Sequence, residues 1–424
     1  MIVSDHSVVL GLLGLSAAVA LSLYAWIGRR SDYSGAIIAL FCVIVIYTLG
    51  ILDRRYPVFG INVSDGVGGL VLLGTSFLAL GAVVPALLIR QKVSRSREFL
   101  TSSKRLAASC MYGFGVAIAI VNYATGDIPL LADDVNASRF GSNFGVLGPL
   151  WPVSIAIMQA SIVVFTIKLL RREQKFFDWG WAVLATVLLA LSGGRSLLGL
   201  AVLASIMAVV QTRRPRFGRL LLTALVGAAA FGVYGMWRTK TSDPELGAGR
   251  YLRQRGLDNW FGSVDLSMQT GPRVMNRLVE SGVAGNGRFI LGDLGSFLKL
   301  GYQLSDRYAT LLLGGDVEVV GGLPPTIFGG FYLDWGITGV IIGSFAVGST
   351  LWLSVYWYAA KPGYGSLLWL SYFLAYLVTS SYSYISFKPT WITVLAVAIV
   401  LNIPGRASTT LNLTGVMSTR QAVH

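Results

Sequence analysis

The chain has 424 residues, 54% of them hydrophobic and 13% charged, with a net charge of +14 and a mean hydropathy of +0.65. A soluble domain carries about 25% charged residues, so this composition excludes an ordinary soluble enzyme and points to a lipid environment. The basic excess does not indicate nucleic acid, because most Lys and Arg fall in short loops between apolar runs, where they orient membrane spans.

A membrane-crossing helix needs about 20 mostly apolar residues, and eleven such runs are predicted. The first covers 8–27 and ends at Arg29 and Arg30 with no basic residue before it, so it is expected to stay in the mature protein rather than act as a signal peptide. The second covers 35–52 and the third 67–89, followed by a loop with Arg90, Lys92, Arg95, Arg97, Lys104 and Arg105. The fourth, 106–121, leads into a loop whose charges are Asp127, Asp133, Asp134 and Arg139. The fifth, about 146–170, ends in Arg171, Arg172 and Lys175. The sixth and seventh, 177–191 and 196–211, are separated only by Ser192, Gly193, Gly194 and Arg195. The eighth ends near Trp237, and the last three cover about 327–358, 366–382 and 391–403.

With the N-terminus outside, nineteen Lys and Arg fall in short cytoplasmic loops and the tail, against five in short outer loops. The expected architecture is an all-α polytopic membrane protein: a membrane domain at 1–237, a large extracytoplasmic loop with short helices at 238–325, three further spans at 326–403 and a cytoplasmic tail at 404–424. No repeat of 20 to 50 residues and no paired Gly/Pro interruption of a span is visible, which separates the pattern from many transporters.

The chemistry available is narrow. No Walker loop, dinucleotide fingerprint, HExxH helix or serine elbow stands on a suitable element, so no cofactor is expected. The two histidines are His6 and His424, and Cys42 and Cys110 lie inside apolar runs, so no metal site is expected either.

What distinguishes the outer face is arginine, at positions 139, 195, 238, 250, 253, 255, 273, 277, 288 and 307. The planar guanidinium binds phosphate oxygens in a bidentate manner, which suggests a lipid diphosphate as ligand; headgroup anchoring is the plainer explanation for Arg250, Arg253 and Arg255 and the alternative for Arg195. Arg273 and Arg277 sit four apart on a predicted helix, 272–281, whose other stripe is Val274, Met275, Leu278 and Val279; like charges so placed repel unless an anion lies between them. Arg195 must lie at the outer membrane boundary because its turn is so short. Asp133 and Asp134, a few residues before Arg139, can hold one proton or a divalent cation between them, or can form a turn with Asx caps. Asp334, between Tyr332 and Trp335, is either a proton carrier or the cap of the ninth span. Tyr376, Tyr382 and Tyr384 are of the kind that stacks on sugars, but an interfacial aromatic belt is the favoured reading.

The stretch Pro324-Pro325-Thr326-Ile327-Phe328-Gly329-Gly330-Phe331-Tyr332-Leu333-Asp334-Trp335-Gly336-Ile337-Thr338-Gly339-Val340 resembles the late-span signature of the Wzy-type polymerases of O-antigen, capsule and exopolysaccharide repeat units. Ser192-Gly193-Gly194-Arg195-Ser196-Leu197-Leu198 is similar to that family's glycine-arginine turn, and Ser138-Arg139-Phe140 to a third feature. The resemblance implies a GT-C-like fold in the inner membrane with its active site facing outward. It also implies a glycosyltransferase that joins undecaprenyl diphosphate-linked oligosaccharides as donor and acceptor, with membrane lipids, a chain-length regulator and a flippase as partners. It makes Arg139 and Arg195 the residues that carry catalysis, with Asp133, Asp134 and Asp334 as alternatives for a base. Arg273, Arg277, Arg288, Arg307 and Tyr332 are then the substrate-binding set. Gly330 stands where the family pattern leads one to expect an acidic residue. The rival readings are an O-antigen ligase, which would be expected to use a histidine in the large outer loop, and a flippase, which would place charges inside its spans.

Overall fold

The computed structural model describes residues 65–88, 105–132, 145–213, 274–282, 284–305, 308, 325–381 and 383–403, with positions 39, 43 and 271. Among these the regular structure is helical, without a strand: α1 (Asp65–Leu88), α2 (Arg105–Thr125), α3 (Trp151–Arg171), α4 (Phe176–Leu191), α5 (Arg195–Arg213), α6 (Arg288–Phe297), α7 (Thr326–Ala360), α8 (Tyr364–Ser380) and α9 (Pro389–Asn402). All but α6 coincide with predicted spans three to seven and nine to eleven. The first and eighth predicted spans lie outside the described residues, and of the second only Ala39 and Val43 are described, both helical and buried.

Five stretches, within α1, α2, α3, α5 and α7 and their immediate flanks, are long and apolar enough to cross a bilayer, which makes the chain a multi-pass membrane protein. With 16 and 14 residues, α4 and α9 are shorter. At 1.5 Å per residue they reach only about 24 and 21 Å, less than a hydrocarbon core of about 30 Å. Local sequence sets the helix ends. Pro152 and Pro389 sit in the first turns of α3 and α9, where a missing N–H costs nothing. Asp178 caps α4 by accepting from the Lys175 N–H at 2.8 Å, and it also pairs with Lys168 in the last turn of α3.

The helices pack without a hydrophobic driving force from lipid, so close approach has to come from small residues. The most extensive pairing is α7 on α1, where Gly348 lies against the backbone of Leu78 to Ala82 and Ser349 Oγ donates to the Gly81 carbonyl at 3.2 Å. α3 touches α2, α4, α5, α8 and α9, and α8 is buried along almost its whole length, as a helix apolar on every side must be. One end of this bundle carries Glu173, which accepts from the hydroxyl of Tyr364 at the start of α8. At the other end α8 leads into segment 383–388, which meets α6 through the Phe387 N–H to Ile290 carbonyl bond of 2.9 Å.

Candidate active site

Residues 326–340 of the family-like stretch form the first part of α7, and the helix does not run straight there. Trp335 (φ −143°, ψ 21°) and Gly336 (φ 62°, ψ −147°) leave helical geometry, and glycine is what makes that left-handed step inexpensive. The break strands the carbonyls that end the short helical piece 326–334. Loop residues answer them: the Gly285 N–H donates to the Leu333 carbonyl at 2.6 Å and the Asn286 N–H to the Asp334 carbonyl at 3.1 Å. The Asp334 side chain, 1% exposed, accepts in turn from the N–H groups of Phe289 at 3.0 Å and Ile290 at 2.8 Å. Its carboxylate therefore caps α6 rather than its own helix, and the negative end of one helix meets the positive end of the other. Asp334 does act as a cap, but of an element 45 residues away, and both its oxygens are committed to backbone donors.

Packing explains the two glycines of the signature. A Cβ on Gly330 would stand 2.5 Å from Cε1 of buried Phe289, and one on Gly329 would stand 2.6 Å from Cγ of Met275. Gly329 and Gly330 thus form the dock for 274–281 and α6, and an acidic side chain at Gly330 has no room. Residues 274–281 are helical with Val274, Met275 and Leu278 buried and Arg277 exposed, as their apolar stripe predicts.

A second set of bonds fixes the other side of α6. Buried Asp293 accepts from the Ser305 N–H at 3.2 Å and from the Ser386 hydroxyl, while Ser305 Oγ donates to the Phe289 carbonyl at 2.6 Å. Tyr384 packs edge-on to Phe289 at 5.3 Å, its carbonyl accepts from the Tyr376 hydroxyl at 2.9 Å, and the Lys388 ammonium lies 3.9 Å from its ring centroid. Tyr376 and Tyr384 are buried, so the belt reading fails for them: α6 and α9 cover rings that composition alone would leave at the lipid boundary. Tyr382 is not among the described residues.

The glycine-arginine turn is as short as its sequence implies. α4 stops at Leu191, Ser192 Oγ accepts from the Gly194 N–H at 3.2 Å, Gly193 takes φ 64°, and Arg195 is the first residue of α5. Sequence reasoning missed what steadies the turn. Buried Gln159 of α3 donates through Nε2 to the Leu197 carbonyl at 2.7 Å and accepts through Oε1 from the buried Tyr372 hydroxyl of α8 at 3.1 Å. Three helices are thereby tied together two residues below Arg195. A lone Gln in an apolar run was the available signal.

The remaining predicted residues divide as follows. Arg288 is exposed at the start of α6, Tyr332 is half-buried against the core, and the side chain of Arg195 is not described. Asp133, Asp134, Arg139, Arg273 and Arg307 lie outside the described residues. Among the described residues, those that come together are therefore Asp334, Arg288 and the α6 platform. No curated protein and no solved structure matches the chain. A family profile described as "Putative O-antigen polymerase" matches residues 31–386, most of the chain. That span takes in both the glycine-arginine turn and the broken helix with its docked loop, and the chain belongs to the O-antigen polymerase family.

Proposed function

We propose that the chain polymerises undecaprenyl diphosphate-linked oligosaccharide repeat units on the outer face of the inner membrane. A hydroxyl of the acceptor's terminal sugar attacks the anomeric carbon of the donor glycan. The new glycosidic C–O bond forms as the anomeric C–O bond to the diphosphate breaks, and that bonding pair leaves with the undecaprenyl diphosphate. Charge grows on the departing oxygens, so fixed guanidinium groups at the membrane boundary lower the barrier. Arg139 and Arg195 fill that role. The hydroxyl proton passes to the Asp133–Asp134 pair, because the Asp334 oxygens already serve the backbone of α6. Arg273, Arg277, Arg288, Arg307 and Tyr332 contact the remainder of the two substrates, and a flippase and a chain-length regulator act with the enzyme.

The observation that carries this reading is the position of Arg195 as the first residue of α5, after a turn of only three residues between two apolar helices. Polymer length in cells carrying Arg195→Lys or Arg195→Ala, at matched protein level, tests it. If the guanidinium grips a diphosphate, Lys loses much of the activity and Ala costs about 2.7–4 kcal/mol of transition-state stabilisation, roughly 100- to 1,000-fold in rate. Wild-type chains from both variants would reduce Arg195 to a membrane anchor, since Lys snorkels to headgroups equally well.

A further inference from the structure

A cleft of about 400 Å³ lies beside α6, lined by Arg288, Leu300, Gly301, Tyr302, Gln303 and Tyr308. Its walls are held in place from within. Tyr302 lies against Gly295 of α6 so closely that a Cβ there would stand 2.6–2.8 Å from its Cγ, Cδ2 and Cβ atoms, yet the residue remains 37% exposed. One side of the ring is thus fixed on the helix and the rest is turned to the cleft. Gly292 accepts the returning chain in the same way, and a Cβ on it would stand 2.7 Å from the Gln303 carbonyl oxygen. The Ser305 bonds to Asp293 and Phe289 hold that return from below, and the Tyr308 hydroxyl reaches the Gly285 carbonyl at 3.4 Å. The turns that frame the cleft place Asn286 (φ 52°) and Lys299 (φ 56°) in the left-handed region, a costly geometry that persists only where the surroundings impose it.

We propose that this cleft is a pyranose subsite for the glycan part of the substrate, with Tyr302 as the stacking face and Arg288 and Gln303 as the hydrogen-bonding groups. A sugar ring offers a C–H face to an aromatic ring and hydroxyls along its edge to planar polar side chains, which is the combination present. Among the described lining residues Arg288 is the one cation, which makes a diphosphate the poorer fit, and a lipid tail is poorer still against Gln303, Arg288 and two tyrosines. The assignment rests on the polymerase reading for the identity of the glycan, while its test reads binding and does not require chain growth.

The probe is the free repeat-unit oligosaccharide, released from its lipid carrier by mild acid and added to the purified full-length protein in nanodiscs, with saturation-transfer NMR as the readout. Tyr302→Ala and Gln303→Ala are expected to weaken binding about tenfold each, and Tyr302→Phe to bind as the wild type because it keeps the ring. Arg195→Ala is expected to bind the oligosaccharide normally while its chains shorten, which separates this subsite from the diphosphate site. The delipidated polymer forms a second arm: preference for the single unit assigns the cleft to the acceptor, and preference for the polymer assigns it to the growing donor. Unchanged binding of both probes in Tyr302→Ala and Gln303→Ala, or no binding to correctly folded wild type, overturns the proposal. A wild type that binds the oligosaccharide but never extends chains would instead count against the polymerase reading alone.

Discussion

Replacing Asp334 separates a structural clasp from a proton carrier. In the native protein its carboxylate, 1% exposed, accepts from two N–H groups at the first turn of α6, at 3.0 and 2.8 Å. Asp334→Ala leaves both donors buried without an acceptor. Each unmade bond costs about 1–3 kcal/mol, and partial relaxation of the loop brings the pair to about 2–4 kcal/mol, above the 0.5–2 kcal/mol typical of a lost cap. Since about 1.4 kcal/mol is a factor of ten, local opening of α6 should become about 30- to 700-fold more frequent. Hydrogen–deuterium exchange of peptides covering 285–297, on protein in nanodiscs, measures that directly. Asp334→Asn keeps one acceptor oxygen and sets an amide donor against the other N–H, so its exchange should fall between wild type and Ala, and polymer length should follow the same order. Wild-type exchange in Asp334→Asn together with abolished polymerisation would overturn the clasp role, because a base would then have been removed without loosening the clasp.

Gly330→Ala should destabilise the dock by about 1–3 kcal/mol through overpacking on Phe289, and Phe289→Leu in the same chain should recover part of it; thermal unfolding of the four members of that cycle checks the coupling. Gln159→Leu should cost about 0.6–1.7 kcal/mol for each interhelical bond lost and shorten the glycan without impairing insertion, as read from melting temperature and polymer length. A reporter fused after Arg216 should behave as cytoplasmic and one inserted near Asn286 as external, and the opposite labelling at either site would overturn the expected orientation.

What the sequence makes legible follows from how local each signal is. Apolar runs of about 20 residues mark membrane helices because the bilayer imposes that length, and α1, α2, α3, α5 and α7 stand where those runs lie. The 192–194 turn was equally plain, since two apolar helices leave only three residues between them. The break at Trp335–Gly336 was not: with 50 glycines in the chain, one more inside an apolar run carries no sign of a left-handed step. The Asp334 bonds were illegible for a different reason, because they join positions 45 apart and depend on where α6 comes to rest. Tyr376 and Tyr384 were misread because a belt residue and a core residue have the same composition, and only the packing of α6 and α9 over them distinguishes the two.

The broken helix then has a physical task. A loop helix of 10 residues is too short to be stable alone in water, so α6 needs an external template. The break supplies one, because it presents the carbonyls of Leu333 and Asp334, a buried carboxylate and the smooth surface of Gly329 and Gly330 within about two turns of α7. A straight α7 would bond those carbonyls internally and carry the Asp334 side chain along one unbroken surface, leaving the N-terminus of α6 uncapped. The first part of α7 therefore serves to hold the docked loop, and through it Arg288, Tyr302 and Gln303, at a fixed place on the helix bundle. That division of labour frees the signature from having to supply the base itself, which is consistent with a glycine where an acidic residue was expected.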